Sequence, residues 1–557
     1  MQAYKRNLLK LTLSSLLATA LSQAVWAQDS AKPDQAHINA LYQQSNAALQ
    51  AKKYPEAAEL YSRVFTLDAT NDEAAYNAAC AYALMGKADL AFAWLDKAIQ
   101  AGYLDLEHAQ KDSDLDSLRK DARWTLLTTR MDDKRKYQAR LWDSDVWKSP
   151  YQEQLSEDER IAGLSKFWSE VKYNFVYTQT LRDLDWDAVY LRYLPKVKAA
   201  KSTAEYYRVL MEMCALLKDA HTNVYPPESL YDAVFAKPDF STEFIENRVL
   251  INRVHDDHLK QQGVVHGTEI THVNGIPVQD YMLQTQGAVI SASTPQDKNT
   301  RLFSYQFLMG PIAEKLSLTL RDADGKENKV TTNRVTYQQR HGSGTGPFSW
   351  RMLPGQIAYV ALNSFGDDTA ANAYLKAFPE ISKAKAIIFD VRRNGGGSGD
   401  VGFRILKTLS TKPFAISHAA TRNYLPAMRA WGRPDSMHHF PDGLVQTDPA
   451  HQFSGKVVVL TSAMTFSAAE DFAVAFDGMK RGVMMGEATG GSTGQPLMLS
   501  LPGGGQARIC TKQDSYPDGK AFVGIGVQPH IVIHPTVADF RANRDTVLEA
   551  AIAEVNK

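Results

Sequence analysis

KVVVLTSAMTFSAAEDFAVAF, residues 456–476, runs from a strand into a helix, with a serine at the joint. The first part is apolar and reads as a strand that ends near Thr461. A helix begins close to Ser467. A serine there has the positive end of the helix dipole behind it, and its oxygen projects from a tight turn. The backbone N–H of Ala468 would point toward a developing oxyanion. Serines also cap ordinary helices, so this stretch alone leaves nucleophile and N-cap both open.

The neighbouring sequence repeats the arrangement. QIAYVALNSF (356–365), AKAIIFDVRRNGGG (384–397), GKVVVLTSAM (455–464) and RGVMMGEATGG (481–491) read as strands with helices between them. This is an α/β layer, assigned to 350–545. Gly395, Gly396 and Gly397 follow a buried strand and precede a helix, so the backbone can turn tightly and aim amides at an anion. No Gly-Lys-Ser/Thr follows, and no acidic residue stands at a dinucleotide-binding distance. An oxyanion hole or a plain structural turn remains.

Upstream, the pattern changes three times. RHGSGTGPFSW (340–350) reads as a linker. Short β-branched runs separated by turns occupy 240–335, and Gly267–Val278 is similar to the second half of a PDZ domain, against the alternative of another small β-barrel. Residues 150–238 carry apolar positions at helical spacing. From 35 to 140 the chain is helical and Ala-rich, and Tyr54, Ala57, Tyr61 and Val64 recur 34 residues on as Ala88, Ala91, Leu95 and Ala98. That period resembles tetratricopeptide repeats, or else a generic helical hairpin domain. Lys5, Arg6 and Lys10, the apolar run Leu11–Leu21 and Val25-Trp26-Ala27 read as a signal peptide over 1–27. The run is shorter than the roughly 20 residues of a membrane span, so export to the periplasm or beyond, without stable membrane insertion, is expected.

At 557 residues the chain exceeds one core, and three or four domains are expected. Lys plus Arg (62) equals Asp plus Glu (62), which gives no global pull toward nucleic acid. Cys80, Cys214 and Cys510 lack disulfide-framework or metal spacing and read as buried thiols. His438 and His439, in MHHFPDG, form no zinc pattern and read as a surface loop or substrate rim. No metal and no organic cofactor is expected.

DVRRNGGG, then LTSAMTFSAAE some 70 residues later, then GEATGG and GIGVQPHIVI, resemble the signature of C-terminal-processing and tricorn-type serine peptidases. The resemblance covers roughly 150–550 and implies a multidomain α+β and α/β protein. Its parts are a helical lobe, a PDZ-like domain and a crotonase- or ClpP-like core, here preceded by the helical repeat array. It implies Ser467 as nucleophile and the amides of Gly396 and Ala468 as oxyanion hole. The processing branch uses a lysine base, but the matching stretch EATGGSTGQP has Ser492 near that place. The tricorn branch uses a histidine, and His221 in KDAHTNV corresponds. Its supporting serine and glutamate are replaced by Ala220 and Val523. The expectation is therefore a Ser467–His221 pair whose orienting group is unassigned, with Asp219, Asp514 and Lys512 as substitutes. Peptides or unfolded proteins are the expected substrates, and the repeats would recruit a protein partner. The alternatives are a binding protein of the same fold that has lost the chemistry and, on the core alone, an acyl-thioester enzyme.

Overall fold

The computed structural model describes residues 35–341 and 344–557; the expected signal peptide lies outside the described residues. The chain forms two compact units that divide between Ser144 and Asp145. Among the described residues no helix is long and apolar enough to cross a membrane.

Among the described residues the first unit contains helices and no strand. Helices Gln35–Gln50, Tyr54–Leu67, Asp72–Leu84 and Ala88–Ala101 are followed by shorter pieces and the long helix Ala122–Trp142. Small side chains let the helices approach closely: Ala74, Ala75, Ala78, Ala79 and Ala81 are all fully buried. Ala57, Tyr61 and Val64, and their counterparts Ala91, Leu95 and Ala98, all lie in this core.

The second unit is built on a six-stranded sheet. Its order is Ile531–Val532, Val483–Gly486, Lys456–Thr461, Ala386–Asp390, Ile357–Leu362, Phe348–Leu353. All neighbours are parallel except the last pair. Alternate residues serve opposite faces. Ile387, Phe389, Val457 and Val459 pack with helices Thr369–Ile381, Gly399–Leu406 and Ala468–Met479; Ile388, Val458 and Leu460 pack with helix Thr546–Val555. Burial on both faces explains the uninterrupted apolar runs. The strand Phe348–Leu353 corrects the linker reading: residues 348–350 pair antiparallel with Val360–Leu362.

Two further layers complete this unit. Strands Phe240–Ile245, Arg248–Val254, Glu269–Val273, Leu316–Arg321 and Glu327–Thr332 form an antiparallel sheet. Helices Glu157–Asn174, Trp186–Ala199 and Thr203–Ala215 share a core with the hairpin Pro496–Leu501/Gly505–Cys510, through Leu499, Leu501 and Ile509. A short strand, Asn223–Tyr225, pairs antiparallel with that hairpin. The hairpin thereby anchors the segment just after His221 to the helical layer. Ser436–His439 forms a strand against His418–Asn423 and corrects the loop reading of His438 and His439, both of which are exposed.

Candidate active site

The two strands that carry the sequence motifs are neighbours in parallel register, Asp390 opposite Leu460. Their carboxyl ends therefore deliver the glycine loop and the serine turn side by side, and Phe466 N–H donates to the Asn394 carbonyl at 3.0 Å. Parallel α/β sheets bind ligands at this edge. Ser467 sits at φ +57°, ψ −129°, a conformation a side chain adopts only when its surroundings hold it there. Its hydroxyl makes no cap hydrogen bond. The Glu470 amide donates instead to the Ser467 carbonyl at 2.7 Å.

The hydroxyl meets His221. The Nε2 atom lies 3.0 Å from Ser467 Oγ, and Nδ1 lies 2.8 Å from Ser492 Oγ. For Nε2 to accept the serine proton, Nδ1 carries hydrogen and Ser492 accepts it. The imidazole stacks on Phe466, with centroids 4.8 Å apart and planes 8° from parallel. It is 3% exposed, and Ser492 is fully buried. Burial, reinforced by the cations Arg508, Arg301 and Lys512, pushes the imidazole pKa down to about 3. The ring is neutral, the form a base requires, across ordinary pH.

Beneath this pair lies Glu470, fully buried. Its Oε2 accepts from the Ser492 amide at 2.8 Å and the Ser467 amide at 3.3 Å; its Oε1 accepts from the Gly491 amide at 2.8 Å and the Thr489 hydroxyl. Burial pushes its pKa up to about 8 against the pull of these donors. One carboxyl group thus ties the nucleophile's backbone to the segment that orients the histidine. The Ser467 amide also donates to the Ser492 carbonyl at 3.1 Å.

Ser467, His221 and Ala468 meet at one place, and among the described residues the Ala468 amide has no acceptor. Gly396 is there too, but differs from expectation: its amide donates to Asn394 Oδ1 at 2.9 Å. An Asn side chain commonly closes its own turn two residues on. The Gly396 Cα nevertheless borders the nucleophile, because a Cβ added there would lie 2.6 Å from Ser467 Cβ and 3.0 Å from Ala468 N. None of the three named substitutes hydrogen-bonds the imidazole. Asp219 accepts from the Thr222 hydroxyl, and Asp514 pairs with Lys512 at 3.0 Å. Ala220 donates its amide to Ser293 Oγ at 2.9 Å, and Val523 packs against the core. The group at the far imidazole nitrogen is instead Ser492, which the sequence displayed only as a missing lysine. Glu470 was also missed, although Ser-x-x-Glu is a legible capping pattern.

The sequence model of Peptidase family S41 matches residues 356–533, and that of the tricorn protease C1 domain matches 157–215. The α/β layer thus matches the S41 peptidases, and part of the helical layer matches the tricorn C1 domain. The chloroplastic C-terminal processing peptidase of Tetradesmus obliquus is 27% identical over 211 residues, 38% of this chain and 42% of that protein. The chain thus matches less than half the length of that protein. Mature CPAF complexed with lactacystin superposes with a TM-score of 0.59 at 15% identity, over 72% of this chain and 97% of that one. A second mature CPAF structure gives 0.58 at 15% identity, over 72% and 96%. At such identity these neighbours establish the fold.

Proposed function

We propose that this protein is a serine peptidase in which Ser467 attacks the substrate and His221 is the general base. The observation that carries the reading is His221 Nε2 at 3.0 Å from Ser467 Oγ, with Ser492 2.8 Å from the other ring nitrogen. Ser467 Oγ bonds to the scissile carbonyl carbon as its proton passes to Nε2. The tetrahedral intermediate then expels the amine, which takes that proton, and leaves an acyl-Ser467. Water deacylates the enzyme by the same route, giving up its proton to His221. The oxyanion is met by the Ala468 amide, and Gly396 N–H joins once it exchanges Asn394 Oδ1 for the oxyanion. Ser492 holds the imidazole in the tautomer that leaves Nε2 free. Being neutral, it stabilises the imidazolium less than a carboxylate would.

The substrates are peptides or unfolded proteins. The segment 240–335 acts as a PDZ-like module that holds extended chains by its sheet edge, the 35–140 helices recruit a protein partner, and the 1–27 leader directs export. A test is hydrolysis of an unfolded protein by the wild type, Ser467→Ala and His221→Ala. Loss of turnover in both folded variants supports the reading; full activity of Ser467→Ala overturns it. The second reading, a binding protein of this fold, draws on the occupied Gly396 amide and on Ala220 and Val523. It predicts a folded wild type that retains peptides and hydrolyses none.

A further inference from the structure

A cleft of about 710 Å³ opens between the antiparallel sheet and the α/β layer. That size suits a short peptide segment. Its floor adjoins the catalytic machinery. Met464, three residues before Ser467, and Arg393, beside Asn394, both line it. So does Ser364, next to Phe365, whose amide donates to the Gly396 carbonyl at 3.0 Å. A chain lying in this cleft runs against the backs of both the glycine loop and the nucleophile turn.

The cleft's charges do not balance. Its two carboxylates are engaged: Asp239 Oδ2 with His341 Nδ1 at 2.7 Å, and Glu243 with Arg393 at 3.1 Å. Lys237 and Arg340 make no ion pair among the described residues, although Asp239 and Asp232 lie near enough to attract them. Lys237 donates only to the Tyr305 carbonyl, at 3.2 Å. Arg340 lies over the Tyr337 ring, and among the described residues its buried Nη2 has no acceptor. Burial and the nearby Arg340 push the Lys237 ammonium down to about 8. Two cations held together with an empty donor are costly unless an anion joins them. An arginine fork meets a carboxylate in bidentate fashion, which a neutral side chain cannot match.

We propose that this cleft is a subsite for acidic peptide segments, with Lys237 and Arg340 holding Asp or Glu side chains of a bound chain behind the nucleophile turn. The proposal rests on the peptidase reading, and its test is chosen to fail separately. The full chain carrying Ser467→Ala, which binds without turnover, is titrated by fluorescence anisotropy with a short fluorescein-labelled peptide rich in Asp and Glu. The comparison peptides are its Asn/Gln isostere and the acidic peptide with an amidated C-terminus. The acidic peptide binds about tenfold or more tighter than the isostere, less so at high salt, whether or not its terminus is amidated. The difference disappears when Lys237→Gln and Arg340→Gln are added. Equal affinity for acidic and isosteric peptides overturns the proposal without any cleft variant. So does a preference abolished by amidation alone, or one that survives the double substitution. If the acidic preference appears but wild type cleaves none of these peptides or unfolded proteins, the peptidase reading fails and the cleft stands.

Discussion

Removing the hydroxyl of Ser492 tests the site where the structure adds most to the sequence. Ser492→Ala leaves the backbone contacts in place: the Ser492 carbonyl still accepts from Ser467 N–H, and the Ser492 amide still donates to Glu470. It removes the 2.8 Å partner of His221 Nδ1 inside a site where that ring is 3% exposed. A buried N–H left without an acceptor costs about 1–3 kcal/mol. The ring escapes this cost by moving the proton to Nε2, which closes the atom that must accept from Ser467. Either way the productive state loses roughly that free energy, so kcat/KM falls about tenfold to a hundredfold. A carboxylate orienter is worth more, because it also stabilises the imidazolium. The assay is kcat/KM on a fluorogenic peptide alongside the rate constant for fluorophosphonate inactivation, both falling together. Thermal unfolding checks that the variant is folded. Unchanged inactivation by a folded Ser492→Ala refutes the orienting role.

Three further outcomes follow from the same geometry. With the imidazole pKa pushed down to about 3, the neutral base persists as the pH falls, so the acid limb of kcat/KM lies far below the usual histidine value of about 6.5; a limb near 6.5 in a pH–rate profile contradicts the burial argument. Above pH 8, where the Glu470 carboxyl has lost its proton, Glu470→Gln sets an amide N–H against backbone or hydroxyl donors and destabilises the second unit by about 1–3 kcal/mol, read by urea unfolding. Gly396→Ala, at φ +97° and with its Cβ 2.6 Å from Ser467 Cβ, displaces the nucleophile; inactivation slows on the order of a hundredfold, measured with the same phosphonate.

The α/β layer was legible because its strands are buried on both faces, which leaves apolar runs too regular to misread. The strand Phe348–Leu353 escaped notice because it is an edge strand entered from a Gly/Ser-rich stretch. Ser467 and Ala468 could be read from a turn that joins a strand to a helix. His221 could not be read locally. It is delivered by a short strand pairing with a hairpin almost 300 residues away, Asn223 opposite Arg508, and only the family resemblance pointed to it. Ser492 was hidden for the same reason, since its role depends on a histidine contributed from 271 residues away. The commitment of the Gly396 amide to Asn394 reflects a side-chain rotamer that sequence does not encode.

The most direct test of the central claim is to treat the wild type with a fluorophosphonate and map the adduct by peptide mass spectrometry. The account predicts one adduct, on Ser467, absent from Ser467→Ala and strongly slowed in His221→Ala. A folded wild type that takes up no label, or an adduct on another serine, contradicts it.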